Sequence, residues 1–104
     1  MKALVFDSKT QIAQMILDHP MPAMQSGESI VKIRLAAVCN TDKEILNGYK
    51  PDFCGIMGHE FVGEVYRSPN ADLIGKRVVG ELNAGCGNCI YCKTGREKHC
   101  RNRK

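Results

Sequence analysis

Apolar and polar residues alternate in short runs through most of the first 82 positions, and this alternation sets the expected elements. Residues 2–6 predict one strand and 11–17 a second. His19-Pro20-Met21-Pro22 then breaks the pattern, because each proline fixes its own φ and pushes its predecessor out of the helical region. Ser26-Gly27 marks a turn. Between 29 and 38, Val31, Ile33, Leu35 and Ala37 fall on one face and Lys32 and Arg34 on the other, the period of two of a half-buried strand. Residues 61–66 and 77–82 predict further strands, the second rich in valine. Ser68-Pro69-Asn70 and Ile74-Gly75 bracket the loop between them.

One short helix is expected. Asn40-Thr41-Asp42 offers three side chains able to accept from free backbone N–H groups at a helix start. Residues 43–47 would form one or two turns, and Gly48 is a natural left-handed stop. After Asn83 the regular pattern fails. Residues 85–101 carry cysteines and glycines but few apolar anchors, so something other than a core must order them. Short strands, one helical turn or two and a cysteine-rich lobe make a mostly-β, barrel-like chain.

Composition sharpens this picture. At 104 residues and 11.5 kDa the chain is one small domain, with a modest core that a structural metal would help. The longest run without a charged side chain is 82–92, too short to span a bilayer. Lys2 is followed by only four apolar residues, so no secretory signal is expected. The net charge of +4 belongs to the C-terminal stretch, where Lys93, Arg96, Lys98, Arg101, Arg103 and Lys104 oppose Glu97 alone. Such a tail is ordinarily solvated, so nucleic-acid binding is disfavoured. Six cysteines without an export signal point to the cytoplasm, where clustered thiols bind metal more often than they form disulfides.

Cys86, Cys89, Cys92 and Cys100 form C-x2-C-x2-C-x7-C. Thiolates three residues apart can turn inward on one tight loop while the fourth returns from the far side, giving zinc four tetrahedral donors and no open position. Gly85, Gly87 and Gly95 are expected to supply the tight turns. The metal replaces the core this segment lacks, so its binding energy is local folding energy. An iron–sulfur cluster also uses C-x2-C-x2-C, but the bacterial ferredoxin run places its fourth cysteine closer and follows it with proline, where Arg101 stands here. Disulfides in an oxidising compartment would also use these thiols, as would a nucleic-acid zinc module.

Outside that lobe, Cys39, His59 and Glu60 are candidate ligands. Taken singly, such residues are more often a small core thiol or a surface histidine. Their surroundings change this. Cys39-Asn40-Thr41-Asp42, then Gly58-His59-Glu60-Phe61-Val62-Gly63-Glu64-Val65, then the four-cysteine lobe, closely resemble the zinc-dependent medium-chain alcohol and polyol dehydrogenases in order and spacing. The resemblance covers nearly the whole chain. It implies a GroES-like, partly open β-barrel with a short helix and a zinc lobe at 85–101. Cys39 and His59 would be ligands of a catalytic zinc, with Glu60 beside the metal as a ligand or exchanging with water. Thr41 would pass the substrate's proton toward solvent. Asp42 would orient the ligating histidine. The four cysteines would hold a structural zinc. The residue types suit this chemistry, since catalytic zinc keeps one position open and a threonine hydroxyl both donates and accepts.

The nicotinamide cofactor of that family needs a Rossmann unit with G-x-G-x-x-G. No such pattern occurs here, and the chain offers no cofactor-binding residue. Residues 1–104 are therefore expected to be the N-terminal part of a GroES-like catalytic domain, inactive alone. The full-length enzyme would oxidise a small-molecule alcohol to an aldehyde or ketone with NAD or NADP, as a homo-oligomer. Cys54 matches no ligand role and is expected to be a loop thiol. Residues 49–53 would border the substrate cleft. Two other classes compete: a zinc-ribbon-like nucleic-acid module and a structural GroES-like barrel without chemistry. Both leave Cys39, Thr41 and the Gly58-His59-Glu60 segment unexplained.

Overall fold

The computed structural model describes residues 1–103, so Lys104 of the basic tail lies outside the described residues. Among the described residues, six strands form two antiparallel three-stranded sheets. In the first, β1 (Ala3–Asp7) lies between β2 (Ile12–Ile16) and β4 (Cys54–Ile56). In the second, β5 (Glu60–Arg67) lies between β3 (Ile30–Ala37) and β6 (Arg77–Val79). The sheets are open rather than closed on each other, the architecture of a partly open barrel. Helix α1 (Asn40–Leu46) links them, and α2 (Ile90–Lys93) lies in the cysteine lobe. No helix among the described residues is long and apolar enough to cross a membrane.

The core is small. Ala3 and Phe6 of β1, Ile45 of α1 and Val65 of β5 are buried, and Phe53 stacks on Phe6 with ring centroids 6.4 Å apart. Ser8 fastens the 49–53 loop to the end of β1. Its N–H donates to the Phe53 carbonyl and its hydroxyl to the Lys50 carbonyl, both at 2.8 Å. The Met57 N–H donates to the Leu4 carbonyl at 2.8 Å, which anchors the chain directly before Gly58 and His59.

The expected strands and helix are present, with four differences. β4 is a strand where the pattern predicts a loop, and Cys54 is its first, exposed residue. β6 stops at Val79 instead of reaching residue 82. Its ladder with β5 ends at the Val62–Val79 pair, and Gly80 then lies so close to the Phe61 ring that a Cβ would sit 2.5 Å from it. The face expected to be buried on β3 is open, with Ile33 and Leu35 49% and 67% exposed. A bulge sets Ile33 opposite Gly63 but Leu35 opposite Val62, so two steps on β3 meet one on β5 and the alternation is lost at Arg34. Finally, the lobe is not wholly irregular: α2 and a 3-10 turn at Glu97–His99 lie within it.

Candidate active site and metal centres

Cys39 leaves β3 two residues after its end and caps α1. Its Sγ accepts from the Thr41 N–H at 3.2 Å, and Asp42 Oδ2 accepts from the Cys39 N–H at 2.9 Å. This is a reciprocal capping box in which a thiol takes the place usually held by a serine or threonine hydroxyl. The sequence pattern offers Asn40, Thr41 and Asp42 as caps; the cap is Cys39, with Asp42 completing the box. The helix ends as expected, with Asn47 at its C-cap and Gly48 at φ +95°.

His59 reaches the same place from the neighbouring strand, directly before β5, whose Glu60 pairs with Ala37 of β3. Gly58 adopts φ +97°, a conformation nearly reserved for glycine, and turns the chain from β4 into β5. The His59 Nε2 lies 3.1 Å from the Cys39 Sγ, although the two residues are 20 apart in sequence. Its other ring nitrogen, Nδ1, lies 3.6 Å from Oδ1 of the buried Asp42. The thiol, the imidazole and the Asp42 carboxylate all fall within 4.8 Å of one another. A tetrahedral zinc holding one sulfur and one imidazole sets those donors about 3.5 Å apart. The observed pair is a few tenths of an ångström closer, so the donor set fits. Asp42 is already committed to the Cys39 N–H and to the back of His59, the position of a carboxylate that orients a ligand.

Asp42 and His59 line a cavity of about 520 Å³ together with Thr41, Lys50, Phe53, Leu82 and Arg103, and Cys39 lies beside it against His59. Lys50 and Phe53 thus place the 49–53 loop at the cleft. Glu60, first residue of β5, is exposed and stands outside the Cys39–Asp42–His59 group. Cys54 borders a separate depression with Tyr49 and Asp52. Sequence reasoning missed Leu82, Asn83 and Arg103 as cavity residues, because the lobe folds back to bring them there and no local pattern signals this.

The second group is Cys86, Cys89, Cys92 and Cys100. The Cys89 Sγ is 3.5 Å from that of Cys92 and 3.8 Å from that of Cys100. Edges of a tetrahedral four-sulfur zinc site measure about 3.8 Å, so this donor set also fits. Cys100 is fully buried, and its sulfur accepts from the Cys86 N–H at 3.4 Å and the Asn102 N–H at 3.3 Å. Gly87 and Gly95 make left-handed turns as expected, but Gly85 has another role. A Cβ there would lie 2.9 Å from the Cys92 sulfur, so this glycine lets the backbone approach the cluster.

The thiols differ in acidity. The Asn88 N–H, aided by that of Cys89, aims at the Cys86 sulfur and holds its pKa down to about 6. The Cys92 N–H lowers that of Cys89. Burial pushes Cys92 up to about 12. Two cations of the basic tail are used internally: Arg96 lies over the Tyr91 ring at 5.8 Å, and Arg103 donates to the Cys100 carbonyl at 3.4 Å.

Comparison with known proteins agrees with this geometry. Residues 25–104 match the family model described as the alcohol dehydrogenase GroES-like domain. Zinc-type alcohol dehydrogenase B of Aspergillus flavus is 35% identical over 105 residues, which cover 96% of this chain and 24% of that protein. Alcohol dehydrogenase TADH from Thermus sp. ATN1 superposes with a TM-score of 0.80 at 30% identity, covering 97% of this chain and 30% of that one. An alcohol dehydrogenase from Escherichia coli CFT073, solved in complex with NADH, gives a TM-score of 0.83 at 27% identity, covering 100% of this chain and 31% of that one. The chain therefore spans about a quarter to a third of the length of these relatives. It belongs to the zinc-dependent medium-chain alcohol dehydrogenases and corresponds to their GroES-like part.

Proposed function

We propose that this chain forms the metal-holding part of the active site of an NAD(P)-linked alcohol dehydrogenase. Cys39 and His59 hold one zinc, and Cys86, Cys89, Cys92 and Cys100 hold a second, structural one. The observation that carries this reading is the meeting of Cys39 Sγ and His59 Nε2 at 3.1 Å beside a cavity, from the adjoining ends of the paired strands β3 and β5. Six free cysteines suit a reducing compartment such as the cytoplasm.

Bound at the first site, zinc supplies Lewis acidity that favours the alkoxide of a substrate alcohol at neutral pH. In the whole enzyme a nicotinamide cofactor, held by residues other than these, would accept the hydride, and the alcohol would give a carbonyl compound and a proton. Asp42 holds the His59 ring so that Nε2 faces Cys39. Thr41 lines the cavity and is exposed, so its hydroxyl takes the substrate proton and releases one to water without itself ionising. Glu60, one residue from His59 and open to solvent, supplies a carboxylate that exchanges with water beside the metal. The natural partner is a small alcohol or its carbonyl product, and the whole enzyme is a homo-oligomer.

Metal analysis of the reduced chain tests the metal sites. Two zinc ions per chain are expected, falling to one in Cys39→Ser. A single zinc that survives Cys39→Ser would overturn the catalytic assignment. Thr41 is tested by Thr41→Val in the whole enzyme. The helix cap uses the Thr41 backbone N–H, which valine keeps, so zinc content should be unchanged while alcohol oxidation falls about a hundredfold or more. Undiminished oxidation removes Thr41 from the mechanism.

A further inference from the structure

The cavity beside Cys39 and His59 has an uneven charge. About half of its wall is apolar, built from Ile45, Phe53, Ile56, Met57 and Leu82. Two permanent cations, Lys50 and Arg103, also line it. Neither forms an ion pair among the described residues, where the pairs are Arg34 with Glu64 and His59 with Asp42. Arg103 makes one hydrogen bond, to the Cys100 carbonyl, which leaves most of its guanidinium donors free. Asp42 is the only carboxylate in the lining, and it is taken up by the Cys39 N–H and His59. The Lys50 carbonyl is held by the Ser8 hydroxyl at the end of β1, and Arg103 follows Cys100 by three residues and donates to its carbonyl.

From this arrangement we infer that the substrate is an alcohol carrying a negatively charged group, a hydroxycarboxylate in its simplest form, whose anion is bound by Lys50 and Arg103. The hydroxyl end lies toward Cys39, His59 and Thr41, and the intervening carbons lie on the apolar wall. The anion is a binding handle and takes no part in the bond changes. This inference rests on the dehydrogenase reading above. A cofactor pyrophosphate would offer similar chemistry. We assign the cations to the substrate because they share one cavity with Thr41 and His59.

The test uses the zinc-loaded 104-residue chain and a matched pair of probes, 3-hydroxybutyrate and the neutral butane-1,3-diol, followed by amide chemical-shift titration. 3-Hydroxybutyrate should bind roughly tenfold more tightly, as hydrogen bonds to ionised groups do relative to neutral ones. Lys50→Gln and Arg103→Gln should each remove about three- to fivefold of that preference, Lys50→Arg should keep it, and added salt should shrink it. Retention of the four-cysteine zinc shows that each variant is folded. Equal binding of the two probes overturns the inference. So does a preference that survives both glutamine variants, which would place the carboxylate on the metal instead. ADP, which carries the cofactor's pyrophosphate, should not displace 3-hydroxybutyrate; displacement would assign the cations to the cofactor. A zinc count that Cys39→Ser does not lower would instead remove the metal site itself, an outcome separate from any probe result.

Discussion

Asp42 joins two tasks that are usually separate. One oxygen closes the cap of α1 by accepting from the Cys39 N–H, and the other faces His59 Nδ1. The same carboxylate therefore fixes the backbone of one candidate ligand and the ring of the other. Asparagine retains a single oxygen and cannot serve both. Asp42→Asn should weaken zinc at the Cys39–His59 site about 10- to 100-fold, the usual cost of losing a ligand's supporting partner. The four-cysteine zinc, which shares none of these contacts, should be unaffected. Metal competition on the variant checks both statements, and unchanged affinity at the first site would show that Asp42 is only a helix cap. Gly58 supports the arrangement differently. A Cβ there would meet nothing within 4 Å, so its necessity comes from the φ of +97° alone.

In the four-cysteine lobe the sulfurs differ in acidity, and metal binding there should depend on it. Cys86 ionises at about 6 under the pull of the Asn88 and Cys89 amides, while Cys92 is pushed up to about 12 by burial. At neutral pH, then, Cys86 is ready to bind and Cys92 must release a proton as metal enters. Zinc affinity should fall as pH falls throughout, because protons compete for the same sulfurs. It should fall more steeply below about pH 6, where Cys86 also binds a proton. Titration calorimetry in buffers of different ionisation enthalpy would count the protons released; a count that does not rise below that pH contradicts the assignment. The clustering of the four cysteines was legible in the sequence because their close spacing already brings the sulfurs together. The elements around them were less so. β4 is three residues with Gly55 at its centre, too short to show a period. The bulge at Arg34 is set by β5, where a Cβ on Gly63 would come within 2.4 Å of Val31 and 2.7 Å of the Lys32 carbonyl. Such close approach belongs to the pairing of two strands, and neither strand's own pattern records it. The Cys39–His59 pair lies between these extremes. It is found through the resemblance of its surroundings, since the 19 residues between Cys39 and His59 carry no periodic signal linking them.

At the scale of the whole molecule, the chain presents more surface than its size calls for. It exposes 8180 Å² and has a radius of gyration of 15.2 Å. A compact monomer of this mass exposes about 5,800 Å², with a radius near 13 Å. Much of the excess is apolar. Ile33, Leu35 and Val79 face outward from the sheet of β3, β5 and β6, and Ile12 and Met15 from β2. Among the described residues the buried apolar set is Ala3, Phe6, Ile45 and Val65, together with Cys100. Two small centres, one packed around Phe6 and one around the cysteine sulfurs, thus hold a fold whose sheet faces are open. Contiguous apolar surface on this scale drives association. The purified 104-residue chain should therefore bind a hydrophobic dye strongly and self-associate with rising concentration. The double variant Leu35→Lys with Val79→Thr should reduce both effects, because it places polar groups on the two most exposed large hydrophobic positions of one sheet, 67% and 75% open. Neither position touches a cysteine cluster, so zinc content should be unchanged. Sedimentation of the two proteins side by side decides the matter: a wild-type chain that stays monomeric and silent to the dye would mean that these side chains fold inward on each other in solution.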